Sequence, residues 1–162
     1  MKNIGVIIGV IADTHGLLRD EAIQLLQGCD LILHAGDIGK QSVLHQLKLI
    51  APVIAVRGNV DQDDWASVIP EKEIIQIEGK TICLIHNLKE LDIKPVDRFD
   101  VVVSGHSHKP CNRTESGVLY FNPASAGPRR FSLPIALGKL KIGREGIEGQ
   151  IIEIPVPKKV RR

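Results

Sequence analysis

A mixed α/β fold is predicted by three observations. Residues 4–56 alternate aliphatic runs with segments of helical periodicity, the strand–helix–strand–helix–strand order that builds a parallel sheet through right-handed crossovers. After Asn59 the pattern changes to short strands separated by turn signals, the last two of which read as an antiparallel pair. Composition agrees: 162 residues, 43% hydrophobic but only 3% aromatic, suffice for one domain (1–162) with a core of aliphatic strands.

Ile4 to Ala12 is a near-continuous apolar run, read as a buried strand, and it stops at Asp13-Thr14-His15-Gly16. From Leu17 to Gln27, Leu18, Ala22, Leu25 and Leu26 recur at helical spacing, with Gly28 as the stop. Leu31 to His34 is a second strand, ending in Ala35-Gly36-Asp37. Ser42 to Ile50 carries a second helical stripe of Val43, Leu44, Leu47 and Ile50. Val53 to Val56 is a third strand that runs into Arg57-Gly58-Asn59-Val60-Asp61. The polar stretch from Asp61 to Pro70 reads as a loop, and Glu73 to Ile77 and Thr81 to Ile85 as strands joined around Glu78-Gly79-Lys80, the second ending at His86. Leu88 to Val96 is short and charged, enough for one or two helical turns. Phe99 to Val103 is a β-branched run that passes through Ser104-Gly105 into His106-Ser107-His108. Val118 to Phe121 is a further strand, Asn122 to Pro128 a turn-rich loop, and Phe131 to Ile142 with Gly149 to Val156 a closing antiparallel pair.

Composition excludes several classes. The net charge of +2 is mild, and much of the excess sits in the tail at 157–162, which reads as a frayed basic end. Nucleic acid is therefore not an expected partner, the more so because aromatic stacking residues are scarce. Cys29, Cys83 and Cys111 are odd in number and lack C-x-x-C spacing, so a cytoplasmic chain without a disulfide framework or zinc knuckle is expected. The apolar N-terminal run lacks a small-residue cleavage site, and no run approaches the roughly 20 residues needed to cross a bilayer, so no membrane association is expected.

The chemistry gathers at strand ends. In open parallel sheets ligands bind beyond the carboxyl ends of the strands, where Asp13, His15, Asp37 and Asn59 fall, and His86, His106 and His108 follow strands of their own. Each alone has a plain structural explanation: a helix cap for Asp13, a Gly-Asp turn for Asp37, a left-handed position for Asn59, a core-edge histidine for His86. Their joint recurrence at strand ends favours a site. Alternate residues of an extended segment point to opposite sides, so His106 and His108 serve two different ions or reach one ion through a turn at Gly105. Oxygen and imidazole donors without thiolate suit manganese, iron, zinc, nickel or cobalt better than calcium, and seven donors are too many for one tetrahedral ion.

The ordered set Asp13-Thr14-His15, Gly36-Asp37, Gly58-Asn59, His86 and Gly105-His106-Ser107-His108 resembles the calcineurin-like metallophosphoesterase superfamily, and in size is most similar to its small prokaryotic phosphodiesterase subgroup. The resemblance implies a four-layer αββα sandwich and a pair of divalent ions, manganese first among those named. One ion would be held by Asp13, His15 and His108, the other by Asn59, His86 and His106, with Asp37 bridging. It further implies a phosphoesterase, of phosphodiesterase type, acting on small phosphate esters by attack of a metal-bridging hydroxide, with Asp37, Asn59 and His106 as the catalytic residues. Asn122, Pro123 and Ser125 also resemble the subgroup's loop after the site, although Ala124 stands where glycine is usual.

Two departures modify the expectation. Many members carry a histidine directly after the asparagine; Val60 stands there and cannot protonate a leaving oxygen, which predicts a preference for acidic leaving groups unless Asp61 or a water substitutes. Relatives often continue after His86 with glycine and a further histidine; here Asn87 follows, a candidate substrate contact that cannot replace an imidazole. Arg129 is a second candidate contact, fit to clamp a phosphate bidentately. Trp65 is a stacking wall or a core anchor, and His34 and His45 read as structural. The competing expectation is a non-catalytic scaffold similar to the retromer subunit of this fold, and an exposed sheet edge would allow a homodimer.

Overall fold

The computed structural model describes residues 5–92 and 98–156. The strand–helix alternation forms as β1 (Val6–Ile11), α1 (Asp20–Leu26), β2 (Leu31–His34), α2 (Gln41–Lys48) and β3 (Val53–Ala55). There follow β4 (Lys72–Ile77), β5 (Lys80–Ile85), β6 (Val101–Val103), β7 (Cys111–Glu115), β8 (Val118–Asn122), β9 (Ala136–Gly143) and β10 (Gly146–Glu153).

These strands make two five-stranded mixed sheets, ordered β10-β9-β1-β2-β3 and β4-β5-β6-β8-β7. Within them β1-β2-β3 and β5-β6-β8 are parallel, and the remaining pairs antiparallel. The period of two decides the layering. Ile8, Val10 and Leu33 of one sheet meet Ile82, Leu84, Val101, Val103 and Phe121 of the other in a shared core. The alternate residues of the first sheet, Ile11, Ile32 and Leu137, meet Leu26, Val43 and Leu47 of the helices. Helices of seven and eight residues are too short to persist alone. Burial holds them, at about 1.5–3 kcal/mol for each fully buried Leu or Val. On the far face of the second sheet Cys83, Ile85 and Val102 are covered by Leu91, Phe99 and Tyr120. This is the αββα sandwich, its second helical layer reduced among the described residues to a 3-10 turn at Leu88–Glu90. The remainder of the helical segment expected to Val96, and the basic tail, lie outside the described residues.

Three element starts differ by three residues or more from the sequence reading, and one strand is additional. Helix α1 begins at Asp20 rather than Leu17, because Gly16 takes φ +83° and Leu17 donates back to Thr14 O at 2.9 Å, closing a turn that holds His15 at the sheet edge. Strand β9 begins at Ala136, not Phe131: Leu133 N bonds Arg130 O in a turn, and Pro134 has no N–H for a ladder. Strand β10 begins three residues early, at Gly146. Strand β7 was not expected at all, since Cys-Asn-Arg-Thr-Glu is polar and mostly exposed, the composition of an edge strand. Trp65, in a 3-10 turn inside the predicted loop, packs against the helix-covered core and is an anchor.

Parallel strands bring their carboxyl ends to one edge. The segments after β1, β2 and β3 thus converge, and those after β5, β6 and β8 meet them from the other sheet. The junction is stitched by His86 Nδ1–H to Ala35 O (2.8 Å), His106 N–H to Asp13 Oδ2 (3.0 Å) and Ser125 Oγ–H to Asp13 O (2.9 Å).

Candidate metal centre

At this junction the structure gathers two groups of potential ligands, Asp13 with His15 and His108, and Asp37 with His86 and His106. Within each group the donor atoms lie within 4.8 Å of one another. The two residues of the H-x-H segment therefore face different groups. The groups adjoin: Asp37 Oδ2 is 3.7 Å from His15 Nε2, and His86 Nε2 is 4.0 Å from Asp13 Oδ1; within the groups Asp37 Oδ2 is 3.3 Å from His86 Nε2 and His108 Nε2 is 3.6 Å from Asp13 Oδ1.

Local backbone explains the convergence. Asp13, His15, Asp37, His106 and His108 all have positive φ, between 47° and 71°. Such conformations cost an L residue about 1–3 kcal/mol each and persist where the surroundings enforce them. The enforcement is visible in the loops: Asp13 N bonds Gly36 O, His15 N bonds Asp37 O and Gly105 N bonds His86 O, each at 3.0 Å. Gly58 is required by close approach, since a Cβ there would stand 2.2 Å from Asp37 Oδ1.

The donors suit a divalent cation. Asp13 Oδ1, His15 Nε2 and His108 Nδ1 are buried polar atoms without a hydrogen-bond partner among the described residues, an arrangement that is costly unless something charged meets them. His86 donates Nδ1–H to Ala35 O, which leaves Nε2 to ligate. Burial by itself would raise the Asp37 pKa, but hydrogen bonds from His86 and the Val60 N–H, with the charges of His86 and His15, bring it down to about 2. Burial likewise opposes the charged form of His86, and Asp37 and Asp13 outweigh it to raise that pKa.

The other expected residues are less central. Asn59 is exposed and lines, with His86 and Ile85, an open cleft. Asn87 turns its Oδ1 back to Lys89 N–H at 3.1 Å, capping the following turn. Arg129 is exposed, its Nη1 donating to Leu133 O at 3.5 Å within its own turn. Asp61 is engaged in the fold: its carboxylate accepts the N–H groups of Ile38, Gly39 and Gly58 at 3.0, 2.9 and 2.8 Å. Asn122 donates to Gly105 O and, with Ser125, braces the site from behind. Ala124 keeps a left-handed backbone at φ 70° despite its methyl group. The sequence reading missed Arg57, which borders the cleft and pairs with Glu71 at 3.2 Å; its place directly before Gly58-Asn59 was the available signal.

Residues 6–144 match the calcineurin-like phosphoesterase superfamily domain. The chain belongs to this superfamily. A probable metallophosphoesterase of Methanothermobacter thermautotrophicus is 31% identical over 93% of this chain and 94% of its own length. A phosphodiesterase of Methanocaldococcus jannaschii is 29% identical over 72% of this chain and 81% of its own. Among solved structures, Vacuolar Protein Sorting 29 from Cryptosporidium parvum superposes with a TM-score of 0.74 at 21% identity, covering 93% of this chain and 98% of that one. The last likeness concerns the metallophosphoesterase fold alone. No helix among the described residues is long and apolar enough to cross a membrane.

Proposed function

We propose that this chain, acting as one domain, is a dimetal-dependent phosphodiesterase of small phosphate esters. The observation that carries the reading is the position of Asp37 Oδ2, which faces His86 of one ligand group and His15 of the other at 3.3 and 3.7 Å. In this reading Asp13, His15 and His108 would hold one ion and Asn59, His86 and His106 the second, with Asp37 available to both. When bound, such a pair supplies Lewis-acid charge and water ionised near neutral pH. Manganese comes first among manganese, nickel, iron, zinc and cobalt, in keeping with the mixed oxygen and imidazole donors.

The residues do the rest. Asp13 and Asp37 cancel half the charge of two divalent ions, leaving a positive site that draws a phosphate anion. Val60 N–H holds Asp37 Oδ1 at 3.1 Å and keeps Oδ2 turned to the histidines. His106, the least buried member of its group, stands on the substrate side with Asn59. Val60 cannot protonate a leaving oxygen and the Asp61 carboxylate is engaged by three N–H groups, which favours aryl or activated diesters over alkyl monoesters. The relative described as a phosphodiesterase supports the diester class. The free thiols of Cys29 and Cys111 support a reducing, cytoplasmic setting, and self-association through an open sheet edge is compatible with the topology.

The scaffold reading rests on likeness to Vacuolar Protein Sorting 29, and the gathering of Asp13, His15 and His108 beside Asp37, His86 and His106 supports catalysis. The test is hydrolysis of bis(4-nitrophenyl) phosphate by metal-stripped protein re-supplied with single ions, beside Asp37→Asn. Manganese-dependent turnover, reduced at least about 100-fold in the variant and slow on glycerol phosphate, is expected. Wild type and variant equally inert with every ion would return the chain to the scaffold reading.

A further inference from the structure

We propose that Thr14, His34 and Asp61 are positioning residues: they grip the Ile38 peptide from both sides and so hold its neighbour, Asp37, in the left-handed backbone that turns one carboxylate toward both ligand groups. The inference deepens the dimetal reading and rests on it.

Ile38 is held at both its polar backbone atoms. Its N–H donates to Asp61 Oδ2 at 3.0 Å, and its carbonyl accepts the Thr14 hydroxyl at 2.8 Å. The same carboxylate takes Gly39 N–H and Gly58 N–H, which ties the loop after β2 to the loop after β3. On the other side His34 fixes the direction of the Thr14 hydroxyl. Gly36 N–H donates to His34 Nδ1 at 3.1 Å, so that nitrogen carries no proton and the neutral ring bears its proton on Nε2. His34 Nε2 lies 3.0 Å from Thr14 Oγ1, whose own proton is committed to Ile38 O, so the ring donates and the hydroxyl accepts. Every donor and acceptor in this chain of bonds has one consistent role.

Nothing in the reaction touches these groups. Thr14 and His34 are fully buried and Asp61 nearly so. An apolar set of similar volume would fill the same edge without burying a carboxylate and an imidazole. What the polar set adds is a unique geometry for the peptide beside Asp37, whose φ of 56° needs outside support. Thr14 itself lies between Asp13 and His15, so the relay joins members of both ligand groups.

The test uses the full chain, stripped of metal, with Thr14→Val, Thr14→Ala and Thr14→Ser. Manganese titration by calorimetry reads the affinity of each ion, electron paramagnetic resonance reads magnetic coupling between them, and thermal melting of the metal-free proteins checks folding. Wild type is expected to take up two ions with a coupled spectrum. Thr14→Val and Thr14→Ala should weaken the later-binding ion about 10- to 100-fold and show isolated-ion spectra, while Thr14→Ser, which keeps the hydroxyl, restores coupling. Thr14→Ala removes the hydroxyl without adding bulk and carries the question should Thr14→Val misfold. A wild-type affinity and a coupled pair in either hydroxyl-less variant overturns the inference. Failure of wild type itself to bind a coupled pair would instead sink the dimetal reading.

Discussion

Asp13 Oδ2 accepts the backbone N–H of His106 at 3.0 Å, a bond that crosses from one sheet to the other. The carboxylate is thereby divided: one oxygen locks the two halves of the fold together, and Oδ1 is left buried and without a hydrogen-bond partner, 3.6 Å from His108 Nε2. A site that keeps an acceptor in this condition trades stability for function.

Asp13→Asn separates the two roles. The amide oxygen can still take the His106 N–H, but the charge facing the histidines is gone. Diester hydrolysis should fall by about 100-fold or more, while the metal-free variant melts no lower than metal-free wild type, since a buried charge has been removed. A large loss of melting temperature would show that Asp13 serves chiefly the fold.

Gly58→Ala tests the contact beneath Asp37. The new Cβ would fall 2.2 Å from Asp37 Oδ1 and 2.4 Å from Asp37 N, both on a tightly bonded loop. Destabilisation of about 1–3 kcal/mol by denaturant titration is expected. Activity should fall further than stability explains, because displacement of about 1 Å at a reacting group costs on the order of 100-fold. Unchanged kinetics would separate Gly58 from the site.

Val60→His restores a proton donor at the half-exposed position beside Asn59. The expected gain is selective: roughly tenfold or more on diesters of weakly acidic alcohols, little on 4-nitrophenyl esters, whose leaving group needs no proton. A uniform gain, or none, would contradict the account of leaving-group preference.

His34 gives a pH signature. Burial lowers its pKa from 6.5 to about 4, the neighbouring Asp61 charge opposing but not reversing the shift. Between these values the unfolded chain binds a proton that the folded chain refuses, so stability rises with pH there; the contribution is complete above pH 6.5 and is lost as pH falls toward 4. For metal-free protein, the stability of wild type relative to His34→Gln should shrink by about 2 kcal/mol from pH 7 to pH 5, read by denaturant melts at each pH. A pH-independent difference would mean that His34 is not held neutral.

The sequence made the ligand edge legible because the opening strands are strongly aliphatic and each ends abruptly in an Asp, Asn or His. Pairing direction then follows from alternation with helices, and Asp13, Asp37 and Asn59 must share an edge. What the sequence could not show was the backbone that aims them, since a left-handed Asp37 or His106 depends on hydrogen bonds from segments more than twenty residues away. For the same reason the sequence leaves Asp61 open, beside a water, as a substitute acid, whereas its carboxylate braces three N–H groups. Strand β7 was hidden by its polarity: four of its five residues are exposed, so no alternation of apolar and polar side chains marks it.

The central claim is that Asp37 joins two ligand groups into one dinuclear site. Anomalous diffraction from manganese-soaked crystals tests it most directly. The account predicts two peaks about 3.5–4 Å apart, one among Asp13, His15 and His108 and one among Asn59, His86 and His106, both within bonding reach of the Asp37 carboxylate. A single peak, or two that do not share Asp37, would contradict it.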